Sequence, residues 1–159
     1  MRSSPAVLAH GAVDVELGVT LLELMVVLLV LAVLAVWAIP SYQGQVLGAR
    51  RALGISALHV LEVRQAHFRT RYGRYARELT ELGLGGEVQG IDGRGRHVSR
   101  QDEQRIYLLE LSTTPGGYTV RATPQLQQAS DRLCGRLALD HRGVRSVSGP
   151  GGVSRCWRN

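Results

Sequence analysis

The chain has 159 residues, which is room for one small domain and leaves little for a second. Its formal net charge is +6, and all 19 of its basic residues are arginine. An arginine excess attracts polyanions such as nucleic acid, lipopolysaccharide or anionic lipid, but it is equally typical of a solvated surface, so charge alone selects no partner.

A long apolar run lies near the N-terminus. Residues 24–39 contain no charged side chain, and the run extends back to residue 19 with Glu23 as its one charge. About 20 apolar residues are enough for a helix to cross the hydrocarbon core of a bilayer. A secretory signal peptide combines a basic start and a shorter apolar run with a cleavage site after it, and this pattern is not found. We therefore predict a membrane helix that stays on the protein.

The helical pattern continues beyond the apolar run. Pro40 and three following glycines are expected to weaken or kink the helix. After them, mainly apolar side chains recur at spacings of three and four, which is typical of an amphipathic helix packed on a domain. The predicted packed face consists of Leu47, Leu58, Leu61, Gln65, Phe68 and Tyr72.

In the second half of the chain, apolar residues recur at every second position. Residues 83–95 mix glycine with charges and are predicted to form an exposed loop. Two hairpins are expected after it, which gives an α+β fold of one long N-terminal helix and an antiparallel meander of about four strands. The strands are predicted at residues 106–111, 118–123, 137–140 and 144–147.

Cys134 and Cys156 are the only cysteines. Their position beyond the apolar run favours a disulfide in an oxidising compartment, and two reduced, buried thiols are the alternative. Closing a loop of roughly 20 residues would stabilise the fold by about 3 kcal/mol on the chain-entropy model.

The stretch GVTLLELMVVLL from Gly18, continued by AIPSY to Tyr42, resembles the type IV pilin family. In that family a dedicated peptidase cuts after the glycine and methylates the new N-terminus. The resemblance implies cleavage between Gly18 and Val19 and methylation of Val19. It also implies an inner-membrane protein with a periplasmic head that becomes extracellular in the assembled pilus. The corresponding domains are a leader at 1–18, a transmembrane and assembly helix at 19–42, and a globular head at 43–159.

Glu23 has a physical reason to lie in this helix. A charge inside a membrane helix costs about 2.5 to 3.5 kcal/mol, so the carboxylate needs a partner. The amine created at Val19 lies one turn away, and such a pair attracts by about 4 kcal/mol before desolvation. The resemblance implies that this pair forms between neighbouring subunits during assembly. A carboxylate that only reaches the membrane boundary is the alternative.

Pro40 also has two interpretations. It can simply end the membrane helix. In the pilin interpretation, a weakened helix around residues 32–40 unwinds and lets packed subunits stretch.

Motifs in the second half resemble minor pilins of the E type. This resemblance implies a Cys134–Cys156 bridge that closes a C-terminal loop at the filament surface. The motifs are Arg74–Ala76, Tyr118–Pro124, Leu137–Asp140, Gly143 and Cys156–Trp157.

These observations predict a minor pilin of a type IV pilus that supports pilus biogenesis, motility, adhesion or DNA uptake. Its expected partners are other pilins, the prepilin peptidase and the inner-membrane assembly machinery. A pseudopilin of a type II secretion system shares the N-terminal helix and is the alternative, but the cysteine pair and the terminal Cys-Trp favour the pilus.

A nucleic-acid receptor is the third hypothesis. Phosphate contacts from arginine suffice for non-specific DNA binding. Few aromatic residues lie among the arginines, which argues against stacking on single strands. The candidate polyanion-binding residues are Arg94, Arg96, Arg100 and Arg105 in the predicted loop, and Arg142, Arg145, Arg155 and Arg158 near the predicted bridge.

Enzymatic signatures are not found in the sequence. Gly83 and Gly85 lack the third glycine of a phosphate-binding fingerprint. His59 and Glu62 lie three residues apart, but the second histidine of a zinc-protease motif is missing. We therefore predict no enzyme, no metal site and no cofactor.

Overall fold

The computed structural model describes residues 20–86 and 88–158, without the side chains of Pro40 and Val88. The predicted leader and the Gly18–Val19 bond lie outside the described residues. The elements are α1 (Leu21–Tyr72), β1 (Val88–Asp92), β2 (His97–Ser99), β3 (Arg105–Thr114), β4 (Gly117–Pro124), β5 (Leu137–Asp140), β6 (Arg145–Val147) and α2 (Val153–Cys156). Short 3₁₀ turns occupy Leu79–Leu82 and Leu126–Ser130.

The six strands form one antiparallel sheet in the order β2-β1-β3-β4-β5-β6. The β3–β4 hairpin is its longest pairing and runs in register from Tyr107 opposite Pro124 to Thr114 opposite Gly117. The predicted α+β fold is confirmed, and β5 has the predicted bounds.

The exposed loop predicted at residues 83–95 is wrong in its second half. β1 lies there, with Ile91 and Asp92 buried. The strand forms because it is paired on both sides, by β2 and by β3. Gly90 permits this pairing, since a Cβ at that position would lie 3.3 Å from the carbonyl oxygens of Ser99 and Tyr107.

α1 is continuous through Pro40 and the following glycines to Tyr72, and the weakening or kink expected after the apolar run stays a prediction. By its contacts the chain divides into two compact units between Pro40 and Ser41. In the first unit, described from residue 20, the side chains of residues 21–39 are exposed. α1 is the one helix of the described residues that is long and apolar enough to cross a membrane, with a mean hydropathy of 2.8 over its most apolar window.

The second unit contains the rest of α1, the sheet and α2. The predicted packed face is confirmed at Leu58, Leu61 and Gln65, which are fully buried, whereas Tyr72 is 56% exposed. Alternate residues of the central strands cover this face, as expected for a sheet with one side packed against a helix. The buried strand residues include Tyr107, Leu109, Val120, Ala122, Leu137 and Leu139.

Gly54→Ala should destabilise the protein because the helix approaches the buried Tyr107 ring at this position. An added Cβ would lie 3.0 to 3.2 Å from three carbon atoms of that ring. Overpacking of about 1–3 kcal/mol should exceed the gain in helix propensity of about 1 kcal/mol, and the thermal unfolding of the full-length protein in detergent should shift downward.

Gly48→Ala is the matched control, because no atom lies within 4 Å of its added Cβ. It should raise the unfolding temperature through helix propensity alone. Equal stabilisation by both substitutions would contradict the packing of α1 on Tyr107.

Candidate functional site

The N-terminus of α1 has a capping arrangement. Thr20 precedes the helix, and its Oγ1 accepts a hydrogen bond from the backbone N–H of Glu23 at 3.2 Å. The sequence Thr-x-x-Glu is that of a capping box. Glu23 is therefore in the first turn, where a negative charge interacts favourably with the helix dipole. Its side chain is exposed and available to a partner.

The C-terminal loop is closed by the Cys134–Cys156 disulfide, with a Cα–Cα distance of 5.6 Å. The predicted pairing is confirmed, and both cysteines are buried. Gly149 packs so closely on the backbone at Leu133 that a Cβ there would overlap the carbonyl group. The bridge and this contact hold the loop against β5 and β6.

The terminal tryptophan is part of the same structure. Trp157 is buried and donates its indole N–H to the carbonyl oxygen of Ser146 at 3.3 Å. The guanidinium of Arg145 lies 5.4 Å from its ring centroid. Arg145 is thus fixed over an aromatic face, an arrangement that stabilises a cation.

A buried glutamine anchors the loop that follows α1. Gln65 donates to the carbonyl oxygen of Ala76 at 3.1 Å and accepts from its backbone N–H at 3.0 Å. The hydroxyl of Thr113 donates to the same carbonyl at 2.8 Å. The loop after Tyr72 is therefore attached both to α1 and to the end of β3.

Three arginines surround this anchored loop. Arg69, Arg74 and Arg77 line a cleft of about 600 Å³ beside the β3–β4 turn. Arg69 donates to the Tyr75 hydroxyl at 2.6 Å, and Arg74 donates to Glu81 at 2.6 Å. Sequence reasoning missed these residues, because charges at the end of a helix are usually solvated. Their one signal was the position of Arg74–Ala76 after the long helix.

Aromatic rings connect this cleft to the β5–β6 turn. Tyr75 lies 4.9 Å from Tyr118 and 6.3 Å from His141, measured between ring centroids. Burial raises the pKa of Tyr118 to about 12, so this ring remains neutral at physiological pH. His141 and Arg142 are exposed on the turn. We call Arg69, Arg74, Tyr75, Arg77, His141 and Arg142 the helix-end surface.

A second cleft, of about 610 Å³, lies at the other end of β3. Arg94 and Arg105, both predicted from the sequence, line it together with Arg50 of α1. Arg50 was not predicted from the sequence, since no sequence pattern indicates that it lies close to Arg94 and Arg105. We call this the Arg105 cleft.

The turn that presents Arg94 is repeated in the β5–β6 turn. Asp92 accepts hydrogen bonds from the backbone N–H groups of residues 94 and 96, both at 2.9 Å. Asp140 accepts from residues 142 and 144 at 2.8 and 2.9 Å. Both turns read Asp-x-Arg-Gly, and both glycines have a φ of +78°, which glycine adopts without strain. In each turn, these hydrogen bonds hold the backbone that carries the exposed arginine.

The two aspartates of these turns are ionised. Burial raises the pKa of Asp92, but hydrogen bonds from the Arg96 and Arg94 backbone and from the Arg96 guanidinium outweigh it and lower the pKa overall. The backbone N–H of Val144 is the largest cause of the lowered pKa of Asp140.

The predicted arginines do not form one patch. Arg94, Arg96 and Arg100 lie by β1 and β2 at one edge of the sheet, and Arg105 begins the central strand β3, whereas the second group lies by β5, β6 and α2 towards the opposite edge. Arg96 forms an ion pair with Asp92 at 2.7 Å, and Arg100 donates to Gln89 at 3.2 Å. Arg155 and Arg158 are exposed on either side of the buried Cys156 and Trp157. Polyanion binding by either group stays a prediction.

The head of the protein matches a known family. The model of a family described as type IV minor pilin ComP, DNA uptake sequence receptor, matches residues 40–138, which is more than half of the chain. The chain belongs to this family. A comparison of the chain with curated proteins found no match. The resemblance to minor pilins is confirmed, and membership of a type IV minor pilin family favours a structural subunit of the pilus over the pseudopilin alternative.

The match to the ComP family covers the sheet through Ala138 but neither the apolar run nor Cys156. The family assignment therefore rests on the head, independently of the pilin-like N-terminal sequence. The exposed apolar part of α1 and the family together fit a membrane-anchored pilin.

Proposed function

We propose that this minor pilin binds double-stranded DNA through its helix-end surface and presents it to a type IV pilus during DNA uptake. The observation that carries the proposal is the convergence of Arg69, Arg74, Arg77 and Arg142 at one end of the sheet. The description of the family as a DNA uptake sequence receptor supports the same ligand.

The charge of this surface favours phosphate. Two of its nearby acids are already engaged, since Glu81 is hydrogen-bonded to Arg74 and Asp140 to the backbone of its own turn. Hydrogen bonding by Arg74 is the largest cause that lowers the pKa of Glu81 to about 2. Glu78 lies beside Arg74 and Arg77 as a third carboxylate. Four guanidinium groups against three carboxylates still leave an excess of positive charge, as a phosphate backbone requires.

The surface is also preorganised. Gln65 fixes the loop that carries Arg74 and Arg77, and Asp140 braces the turn that carries Arg142. Groups that are already held in place lose less conformational entropy on binding. Tyr75 and His141 lie between these arginines, so the surface also contains aromatic side chains.

Assembly follows from the other end of α1. We infer that cleavage after Gly18 exposes the amine of Val19, which is then methylated and pairs with Glu23 of a neighbouring subunit. The Thr20 cap supports this role, because it fixes Glu23 in the first turn of the helix. Before assembly the head lies in the periplasm, and the partners are other pilins, the prepilin peptidase and the pilus machinery.

Arg77→Glu combined with Arg142→Glu should reduce DNA affinity at least about tenfold, because two guanidinium–phosphate pairs are removed and two repulsive charges are added. Fluorescence anisotropy of labelled duplex DNA with the full-length protein in detergent measures the effect. The salt dependence should also fall, by about 0.9 in the slope of log K against log salt for each phosphate that is no longer neutralised.

Arg50→Glu combined with Arg94→Glu is the matched control, because it changes the net charge equally at the Arg105 cleft. It should retain most of the affinity. Equal losses in the two double variants would mean that net charge, rather than the helix-end surface, governs DNA binding.

Glu23→Ala should leave membrane insertion intact and sharply reduce incorporation into filaments, because the partner of the N-terminal amine is removed. Immunoblotting of membrane fractions and sheared filaments measures both. Glu110→Ala, an exposed carboxylate in the head, should assemble normally. Normal incorporation of Glu23→Ala would refute the pairing.

A further inference from the structure

Arg105 has a donor edge without a partner. Its Nη1 donates to the carbonyl oxygen of Asp102 at 2.7 Å. Its Nε is buried and forms no hydrogen bond to any residue that the structure describes. The Nε–H and one terminal N–H of a guanidinium are parallel and together fit two oxygens of a carboxylate or phosphate. We call this pair of donors the fork of the arginine. A buried donor without a partner is destabilising, so this edge needs an acceptor.

The equivalent edge is occupied in two other arginines. Nε and Nη2 of Arg51 both lie 2.9 Å from a carboxylate oxygen of Asp131. Nε and Nη2 of Arg96 lie 2.8 and 2.7 Å from an oxygen of Asp92. In both cases the fork is filled by an acidic oxygen from within the fold. Arg105 has no such oxygen among the described residues.

The surroundings of Arg105 have the size and charge of a small anion site. It lines the Arg105 cleft with Arg50 and Arg94, and the volume of about 610 Å³ is within the range of ligand sites. Arg50 donates to the amide oxygen of Gln127 at 3.1 Å. The Arg94 side chain forms no hydrogen bond within the described part of the chain.

An apolar side chain lies beside these cations. Leu126 lines the cleft and is 50% exposed. Its φ is +48°, in the left-handed region that a bulky residue rarely adopts. Backbone strain of this kind is concentrated at ligand sites. The buried side chain of Ile106 lines the same cleft.

We propose that the Arg105 cleft binds a phosphate ester, with the phosphate on the fork of Arg105 and near Arg50 and Arg94, and the organic part against Leu126. Three guanidinium groups exceed what a single carboxylate needs, which favours phosphate. The same chemistry is offered by the headgroup of an anionic phospholipid and by a soluble phosphate ester. Asp92 and Glu103 also line the cleft. Asp92 is paired with Arg96, whereas Glu103 should weaken binding by repulsion. The site is independent of DNA binding at the helix-end surface.

Calorimetric titration of the full-length protein in detergent with glycerol phosphate tests the soluble source. Binding of the protein to nanodiscs of phosphatidylglycerol, compared with its binding to nanodiscs of phosphatidylcholine, tests the lipid source. Arg105→Lys should weaken binding at least about tenfold, because lysine retains the charge but cannot present the fork. Arg94→Gln removes no hydrogen bond of the fold and should also weaken binding, whereas Glu103→Gln should strengthen it.

Cleft-dependent binding of either probe supports the proposal and identifies the source. Failure of both probes to bind would overturn it, as would equal binding by the native protein, Arg105→Lys and Arg94→Gln. A loss of DNA affinity in the cleft variants, with no effect on these probes, would also overturn it and assign the cleft to DNA. The variant with Arg77→Glu and Arg142→Glu should bind both probes normally, which separates this site from the proposed DNA surface.

Discussion

The two hydrogen bonds between Gln65 and the backbone of Ala76 determine where the loop after α1 lies. The N–H and the carbonyl group of Ala76 are both buried, and each would cost about 1–3 kcal/mol without a partner. The side chain of Thr113 adds a third bond from the sheet. The arginines on either side of Ala76 are consequently presented outside the core, and an apolar residue at position 65 could not provide this attachment.

A second polar anchor holds the opposite end of the sheet. Gln128 is fully buried and donates to the hydroxyl of Tyr107 at 3.1 Å and to the carbonyl oxygen of Leu47 at 3.3 Å. The adjacent Asp131 forms an ion pair with Arg51 of α1. These contacts fix the segment after β4, including Leu126 at the Arg105 cleft. The two arginine sites are separated by the length of β3, about 26 Å between Arg105 and Thr113, so they can bind separate ligands.

The fold could be predicted from the sequence where a residue's neighbours in the chain determined its environment. Helical spacing identified Leu58, Leu61 and Gln65, and the alternation of apolar and polar residues at 118–123 identified β4. β1 was missed because Ile91 is the one buried apolar side chain among those that the structure describes in this strand, and its pairing with β3 depends on tertiary contacts. The disulfide was favoured by cysteine position, but its role in closing the C-terminal loop came from the family resemblance.

The candidate sites were less predictable than the fold for the same reason. Arg94 and Arg105 were found because they lie in one arginine-rich segment, whereas Arg50 is brought to them only by folding. The helix-end surface combines the end of α1 with the β5–β6 turn, and no local pattern joins them. Its recognition required the contact between Tyr75 and His141.

Hydrogen–deuterium exchange of the full-length protein in nanodiscs, with and without saturating duplex DNA, tests the proposed DNA surface most directly. The account predicts slower exchange in residues 73–77 and 140–144, with residues 93–105 unchanged. Slower exchange confined to residues 93–105, or no change anywhere in the head at saturation, would contradict it.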